Sequence, residues 1–216
     1  MITPGTGTVI LAGGRMDTTP TVSEADLVIA ADSGYDHAME RSISVDILIG
    51  DLDSISPAGL QHARDNGVTI EEHPRDKDDT DLELAIRAAI VREATTISIY
   101  GGEGGRLGHL LGVALSTTQP GLASTDIAWH TATGIVRTAT RDHGVAFQTS
   151  IGQLVTLLPV GDAHGVTTTG LRWSLDNVTL ERGTSRGVSN ESVSNHVTIN
   201  VSNGAVLVIQ EGTEIE

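Results

Sequence analysis

Short apolar runs alternate with amphipathic segments along the first 130 residues of the chain. The runs cover residues 9–12, 27–31, 47–49, 96–100 and 127–129, and the first four are followed directly by Gly or Asp. Apolar runs that do not alternate with polar residues are typical of strands buried on both faces, as in a parallel sheet. The pattern therefore predicts several parallel strands with polar turns at their carboxyl ends.

Helical periodicity fills the gaps between these strands. We predict helices over residues 57–66, 81–92 and 107–116, the first of them with Ser56 as its cap and Pro57 at its first position. Strands that alternate with helices predict an α/β fold: an N-terminal, doubly wound, mostly parallel sheet with helices on both faces. In such sheets ligands bind beyond the carboxyl ends of the strands, where the Gly and Asp residues of this chain lie.

The pattern changes after about residue 131. The remaining apolar segments are short, and helical periodicity is absent; they cover residues 145–149, 154–158, 178–180, 197–201 and 205–209. Ser202-Asn203-Gly204 predicts a hairpin turn between the last two strands. We therefore expect an α/β domain over residues 1–131 and a smaller C-terminal antiparallel β-sandwich over residues 132–216.

Composition excludes several classes of function. The net charge of −15 opposes binding to nucleic acid or to anionic lipid, because both need a basic surface. The chain has no cysteine, so it has no disulfide and no thiolate chemistry. Residues 1–5 carry no basic segment that leads into a long apolar one, so we expect no signal peptide and a cytoplasmic location.

One lysine, Lys77, stands among acidic residues in the segment 76–81, and a second acidic pair, Asp51 and Asp53, lies upstream. Crowded carboxylates repel one another unless a cation lies between them, and Mg²⁺ with a phosphate-bearing substrate meets that need. A solvated helix N-terminus is the alternative for segment 76–81, since Asp79, Thr80 and Asp81 are good capping and first-turn residues.

Asp51 and Asp53 flank Leu52 at the end of a predicted strand. On an extended segment these side chains would point the same way and could reach one ion. An Asp-x-Asp pair also occurs in glycosyltransferases, in ordinary turns and in phosphatases of the haloacid-dehalogenase type, where the first Asp is the nucleophile. That phosphatase class needs its lysine well downstream, and here the lysine comes too early.

The segment 101–106 reads Gly-Gly-Glu-Gly-Gly-Arg between a predicted strand and a predicted helix. Backbone N–H groups at such a place can bind a phosphate, and Arg106 would assist them; the alternative is a glycine-rich turn with a surface Arg. No Gly-Lys-Ser/Thr follows, so this is not a Walker A loop. His109, one turn into the helix, suits a structural role as well as a functional one.

Two segments stand out in the predicted β domain. Gly170-Leu171-Arg172-Trp173 carries one of the two tryptophans, and Gly187-Val188-Ser189-Asn190 combines turn residues with hydrogen-bonding side chains. Trp173 is either a packing residue or a stacking surface for a ligand. Ser189 and Asn190 either form a turn or bind a small polar ring.

Taken in order, these motifs resemble the thiamine pyrophosphokinase family. The resemblance covers nearly the whole chain, and it depends on the order, spacing and placement of the motifs rather than on any one of them. The segments that carry it are 31–34, 49–54, 77–81, 104–106, 170–173 and 187–190.

The resemblance implies transfer of pyrophosphate from ATP to the hydroxyethyl group of thiamine, with Mg²⁺, giving thiamine diphosphate and AMP. It also implies a homodimer in which thiamine lies between the α/β domain of one subunit and the β domain of the other. Asp51, Asp53 and Asp81 would bind Mg²⁺ and, with Arg106, act in catalysis. The implied ATP contacts are Asp32, Lys77, Thr80, Gly104, Gly105, Arg106 and His109, and the implied thiamine contacts are Trp173, Ser189 and Asn190.

The chain departs from the family pattern after the glycine-rich loop. The family has an Asp two residues after the Arg and an Asn four residues after the His, where this chain has Gly108 and Val113. Ser33 also replaces a usual Gly, and Asp36 a common Asn. The loss of a carboxylate leaves a second hypothesis open: a weak or inactive member that binds thiamine diphosphate or a nucleotide.

Overall fold

The computed structural model describes residues 6–212. Residues 1–5, on which the expectation about a signal peptide depends, lie outside this range. The chain divides into two compact units, one ending at Ser116 and the other beginning at Thr117. The predicted domain boundary after residue 131 thus falls inside the second unit. There Asp126–Thr131 and Gly134–Thr140 form an antiparallel hairpin.

A parallel sheet forms the first unit, as predicted, and every strand pair described within it is parallel. The order is β4-β3-β2-β1-β5, with β2 at the centre of the five strands. β4 was not predicted, because its sequence Thr-Ile-Glu-Glu is polar and it lies at an edge. The strands are β1 (Thr6–Leu11), β2 (Leu27–Ala31), β3 (Ile47–Gly50), β4 (Thr69–Glu72) and β5 (Ala94–Tyr100).

The three predicted helices of this unit are present, and a short helix precedes them. Ser56 caps one helix by accepting the N–H of Gly59 at 2.9 Å, with Pro57 following it. Thr80 and Glu83 form a reciprocal capping box at the next. The helices are α1 (Gly34–Glu40), α2 (Pro57–Asp65), α3 (Asp81–Val91) and α4 (Leu107–Ser116).

Two glycines of this unit make a matched test of packing. A Cβ on Gly34 would lie 2.0 Å from the carbonyl oxygen of Leu11, so α1 can approach β1 only through a glycine. A Cβ on Gly112, inside α4, would meet nothing within 4 Å.

We therefore expect Gly34→Ala to lower the free energy of unfolding by about 3 kcal/mol or more. Gly112→Ala, the control, should raise it by about 0.5–1 kcal/mol, because alanine favours the helix. Urea denaturation measures both. Equal stabilities for the two variants would mean that α1 does not pack against β1 as described.

The second unit is antiparallel, as predicted. Its residues 154–169 form one long strand that pairs with four others and carries glycines with positive φ at Gly161 and Gly165. A 3₁₀ helix covers Pro120–Leu122. The strands are β6 (Asp126–Thr131), β7 (Gly134–Thr140), β8 (Val145–Gln148), β9 (Leu154–Thr169), β10 (Val178–Leu180), β11 (Asn190–Glu191), β12 (His196–Asn200) and β13 (Asn203–Glu211).

The predicted hairpin at Ser202-Asn203-Gly204 is wrong. The strands on either side of it, β12 and β13, do not pair with each other; β9 lies between them and pairs with both. The Asn-Gly signal reports a local reversal of the chain, but it does not determine which strand becomes the neighbour.

Side chains from all parts of β9 enter one apolar core. Val155 and Leu157 come from the part beside β13, and Val166 from the part near β12; they share the core with Phe147 and Ile199. Neighbouring β strands therefore share an apolar core in this unit, as in a sandwich. Across the whole described range, no helix combines the length and the apolar character needed to cross a bilayer.

Candidate functional site

Asp32 organises the loop that follows β3. It comes directly after β2, is buried, and has a positive φ of 46°. Its two carboxylate oxygens accept the backbone N–H groups of Ser54 and Ile55, both at 3.1 Å. Burial raises the pKa of Asp32 above its ordinary value, and the charge of Asp81 adds to this, although the bonds from Ile55 and Ser54 oppose it.

Gly50 allows two of the carboxylates to approach each other. A Cβ at this position, the last of β3, would lie 3.0 Å from Oδ1 of Asp81 and 3.2 Å from Cβ of Asp32. Its φ of 147° also disfavours other residues. The glycine in the sequence Ile-Gly-Asp-Leu-Asp therefore serves the geometry of the site.

A group of carboxylates that could bind a metal ion lies at the carboxyl ends of β2 and β3. Among the described residues, Asp32, Asp51 and Asp53 each offer an oxygen, and these oxygens lie within 4.8 Å of one another. Oxygen ligands at such spacing suit a hard cation such as Mg²⁺, which binds one or two carboxylates together with substrate phosphates. The residues present therefore fit the ion that the sequence predicts.

Asp51 and Asp53 meet by a route that differs from the prediction. Leu52 has a φ of 59°, so the segment is a tight turn and not an extended strand end. The turn is held by the N–H of Asp53, which donates to Oδ1 of Asp51 at 3.2 Å. The two carboxylates come together because the chain folds back, a conformation that the spacing alone does not reveal.

Lys77 binds between two acidic residues of the cluster. Its Nζ lies 3.3 Å from Oδ2 of Asp51 and 3.0 Å from Oδ1 of Asp81, and its side chain is 14% exposed. Burial lowers the pKa of Lys77, but the bonds to Asp81 and Asp51 outweigh this and raise it above its ordinary value. Asp81, predicted as a metal ligand, pairs with Lys77 and lies outside the group of three carboxylates.

Arg75 lies at the exposed edge of the cluster. Its Nε donates to Oδ2 of Asp53 at 2.8 Å, and its NH2 group bonds the same oxygen. The hydroxyl of Ser54 donates to the other oxygen of Asp53 at 2.8 Å. The bonds from Ser54 and Arg75 lower the pKa of Asp53. Arg75 was not predicted as a site residue, although it stands two residues before Lys77.

A cavity of about 820 Å³ opens beside this cluster, within the first unit. Two glycine-containing loops line it, one after β1 and one after β5, together with α4. The loops are joined where the N–H of Gly102 donates to the carbonyl of Gly13 at 2.7 Å. Predicted residues that line the cavity are Asp32, Thr80, Asp81, Gly104, Gly105, Arg106 and His109.

The glycine-rich loop has the backbone conformation that its composition predicts. Gly104 and Gly105 have φ values of 76° and 67°, and the side chain of the following Arg106 bonds to His109 on α4. Gly13 and Gly14 also line the cavity and were missed as site residues, although their position directly after a strand was a signal.

Helix α4 presents two different faces. Gly108, Gly112 and Val113 line the cavity, so the helix offers no carboxylate where the family pattern has one. Leu107, Leu111 and Leu115, each four residues apart, are 69%, 54% and 53% exposed. We name these three residues the leucine stripe.

Trp173, in the second unit, is held by Asn190. The side chain of Asn190 is buried; its oxygen accepts the N–H of Trp173 at 3.1 Å and its amide nitrogen donates to the carbonyl of Trp173 at 2.9 Å. Trp173 itself is 59% exposed, with the guanidinium of Arg172 lying 5.8 Å from its ring. Ser189 is exposed and has a φ of 55°. Two of the predicted thiamine-binding residues, Trp173 and Asn190, are therefore in direct contact, and the third, Ser189, precedes Asn190 in the chain.

Comparison with known proteins assigns this α/β unit and the antiparallel unit to one family. The family model for the catalytic domain of thiamin pyrophosphokinase matches residues 18–127, and the model for its vitamin B1 binding domain matches residues 142–206. The chain belongs to the thiamin pyrophosphokinase family.

Individual relatives agree with this assignment. The chain is 24% identical to a thiamine pyrophosphokinase of Bacillus subtilis over 93% of its own length and 96% of the relative's. It is 31% identical to thiamine pyrophosphokinase 1 of rice over 68% of its length and 61% of the relative's. A crystal structure of thiamine pyrophosphokinase from Bacillus subtilis has the same fold, with a TM-score of 0.82 at 22% identity, covering 96% of this chain and all (100%) of the other.

Proposed function

We propose that this protein transfers pyrophosphate from ATP to the hydroxyethyl group of thiamine, forming thiamine diphosphate and AMP. The observation that carries the proposal is the cluster of Asp32, Asp51, Asp53, Asp81 and Lys77 beside a cavity lined by a glycine-rich loop. Phosphoryl transfer depends chiefly on positioning and on charge stabilisation, and this cluster supplies both. We place the reaction in the cytoplasm, in keeping with a chain that lacks cysteine.

In the proposed step, the hydroxyl oxygen of thiamine forms a bond to the β-phosphorus of ATP. The bond between that phosphorus and the oxygen shared with the α-phosphate breaks, and its electron pair leaves with AMP. We assign the hydroxyl proton to Asp81, whose carboxylate faces the cavity. Lys77 and Arg106 would neutralise charge on the transferred phosphates.

Asp32, Asp51 and Asp53 would hold Mg²⁺, and a bound ion would polarise phosphoryl oxygens and draw the triphosphate into position. Gly104 and Gly105 would offer backbone N–H groups to the phosphates, because their left-handed conformation turns the loop around the cavity. Thr80, at the N-terminus of α3, would assist phosphate binding, and its hydroxyl oxygen caps that helix by accepting the N–H of Glu83.

Thiamine is a cationic aromatic molecule, and the exposed ring of Trp173 suits it. We propose that Ser189 borders the same surface. For Asn190 the contacts favour a positioning role, since both ends of its amide bond the main chain of Trp173. Its effect on thiamine binding would therefore act through the tryptophan.

We also propose a homodimer in which the thiamine site is shared between subunits. Groups of exposed apolar side chains support an interface, because monomers rarely expose large contiguous apolar patches. In the first unit they include the leucine stripe. In the second unit they surround β11 and are Ile151, Leu154, Trp173, Val188 and Val193.

A second candidate function is favoured by α4. Gly108 and Val113 line the cavity where the family pattern has Asp and Asn, so the protein could bind thiamine diphosphate or a nucleotide with weak turnover or none. Because Gly108 stands where the family pattern has Asp, this face of α4 carries one negative charge fewer than that pattern.

One assay separates the two functions. Purified protein is given ATP and Mg²⁺ with and without thiamine, and AMP and thiamine diphosphate are quantified by chromatography. We expect both products to form in equal amounts and only when thiamine is present. Binding of thiamine diphosphate or nucleotide, seen as an increase in Tm without product, would instead establish the non-catalytic member.

A further inference from the structure

Lys77 is built into the carboxylate cluster. It is the single lysine of the sequence, and its ammonium group bonds Asp51 on one side and Asp81 on the other. Its side chain is mostly buried, so water does little to screen these two ion pairs. A surface lysine that forms a chance ion pair would be far more exposed.

The surrounding backbone fixes where this ammonium group lies. Asp81 begins α3, and Lys77 stands four residues before it. The same Oδ1 of Asp81 that binds Lys77 also accepts the N–H of Asp51 at 3.3 Å. The end of β3, the start of α3 and the lysine are therefore tied together at one oxygen atom.

A second metal ion in a phosphoryl-transfer site would need the same contacts. Paired ions in such sites lie about 3.5–4 Å apart and share carboxylate ligands between them. Asp51 belongs to the group that could hold one ion, and its Oδ2 faces Lys77. Nζ of Lys77 already lies within 3.3 Å of Asp51 and 3.0 Å of Asp81, so these two carboxylates have a cation between them.

The net charge of the cluster also indicates that one divalent ion binds there. Asp32, Asp51, Asp53 and Asp81 carry four negative charges, and Lys77 and Arg75 supply two positive ones through direct contacts. The remainder of minus two matches one divalent cation.

We propose that the protein has a one-metal site in which the ammonium group of Lys77 is the fixed second cation. One divalent ion binds to Asp32, Asp51 and Asp53, and the ammonium group of Lys77 lies between Asp51 and Asp81. The role of Lys77 as a second cation rests on the proposed transfer reaction, whereas the number of bound ions can be measured without that reaction.

The test is titration of the protein with Mn²⁺ alone, without nucleotide, followed by isothermal calorimetry and by the spin-resonance signal of free Mn²⁺. We expect the unmodified protein to bind one ion at the cluster. Lys77→Met should bind two, because Asp51 and Asp81 lose their cation. Lys77→Arg, which keeps the charge, should bind one.

The double variant Lys77→Met/Asp81→Asn completes the design. It removes a carboxylate together with the lysine, so we expect its count to return to one ion. Two ions on the unmodified protein, or one ion on Lys77→Met, would overturn the inference. The count for the unmodified protein decides the matter even where a variant fails to fold.

These outcomes are independent of the catalytic assay. Two bound ions with normal thiamine diphosphate formation would reject the fixed lysine cation and leave the proposed function intact. One bound ion without product would support the site and reject the catalytic function.

Discussion

Replacing Asp51 by Asn should lower kcat for thiamine diphosphate formation by about 10³-fold or more while leaving the fold intact. Asp51 belongs to the carboxylate group that could hold a metal ion, and it also bonds Lys77. The amide has nearly the same shape, but it removes the charge that both cations need. Loss of a preorganised charge at a transfer site costs about 10²–10³-fold, and loss of a metal contact adds to this.

The control for this prediction is Asp65→Asn. Asp65 is an exposed residue at the end of α2, where it accepts a bond from Gln61. We expect this variant to keep the unmodified rate. Circular dichroism and Tm should be close to normal for both proteins, and product formation at saturating ATP and thiamine gives kcat. Turnover by Asp51→Asn at the unmodified rate would remove Asp51 from the mechanism.

Replacing Leu111 by Glu should convert the proposed homodimer to a monomer. Leu111 is the central residue of the leucine stripe and is 54% exposed in the single chain. A charged side chain buried in an apolar interface without a partner costs several kcal/mol, so we expect dimerisation to weaken by about 100-fold or more. Activity should fall with it, because the proposed thiamine site needs both subunits.

The matched control is Val91→Glu. Val91 is also an exposed apolar residue of the first unit, at 75%, but it lies at the end of α3 and outside the stripe. Light scattering after gel filtration should give a dimer for the control and a monomer for Leu111→Glu. A dimeric Leu111→Glu would place the interface elsewhere, and a monomeric unmodified protein would reject the homodimer.

Much of the fold could be predicted because an uninterrupted apolar run followed by Gly or Asp indicates a buried strand. The strand segments 9–11, 27–31 and 47–49 carry only Val, Ile, Leu and Ala, and two helices begin at clear caps, Ser56 and Thr80. α1 was missed because it has only seven residues and begins with a glycine that packing, not helix propensity, requires. The partner of β13 was missed because strand pairing depends on distant segments.

The sequence indicates the residue types of the candidate site but not the contacts between them. Residue types and their placement after strands identified the acidic cluster, but the contact between Lys77 and Asp51 joins two separate loops. The turn at Leu52 and the grouping of Asp32 with Asp51 and Asp53 depend on backbone angles that a spacing of two residues does not encode. The role of Asn190 behind Trp173 likewise depends on a fold-level contact.

Because Lys77 is the single lysine, the acidic cluster can be labelled covalently at one known side chain. Reagents that acylate primary amines find one ε-amino group in this sequence, and that group lies between Asp51 and Asp81. Lysine labelling modifies many surface sites in most proteins, but in this protein it can modify only Lys77, within the acidic cluster. The extent of labelling at this one residue reports how firmly its two ion pairs are held.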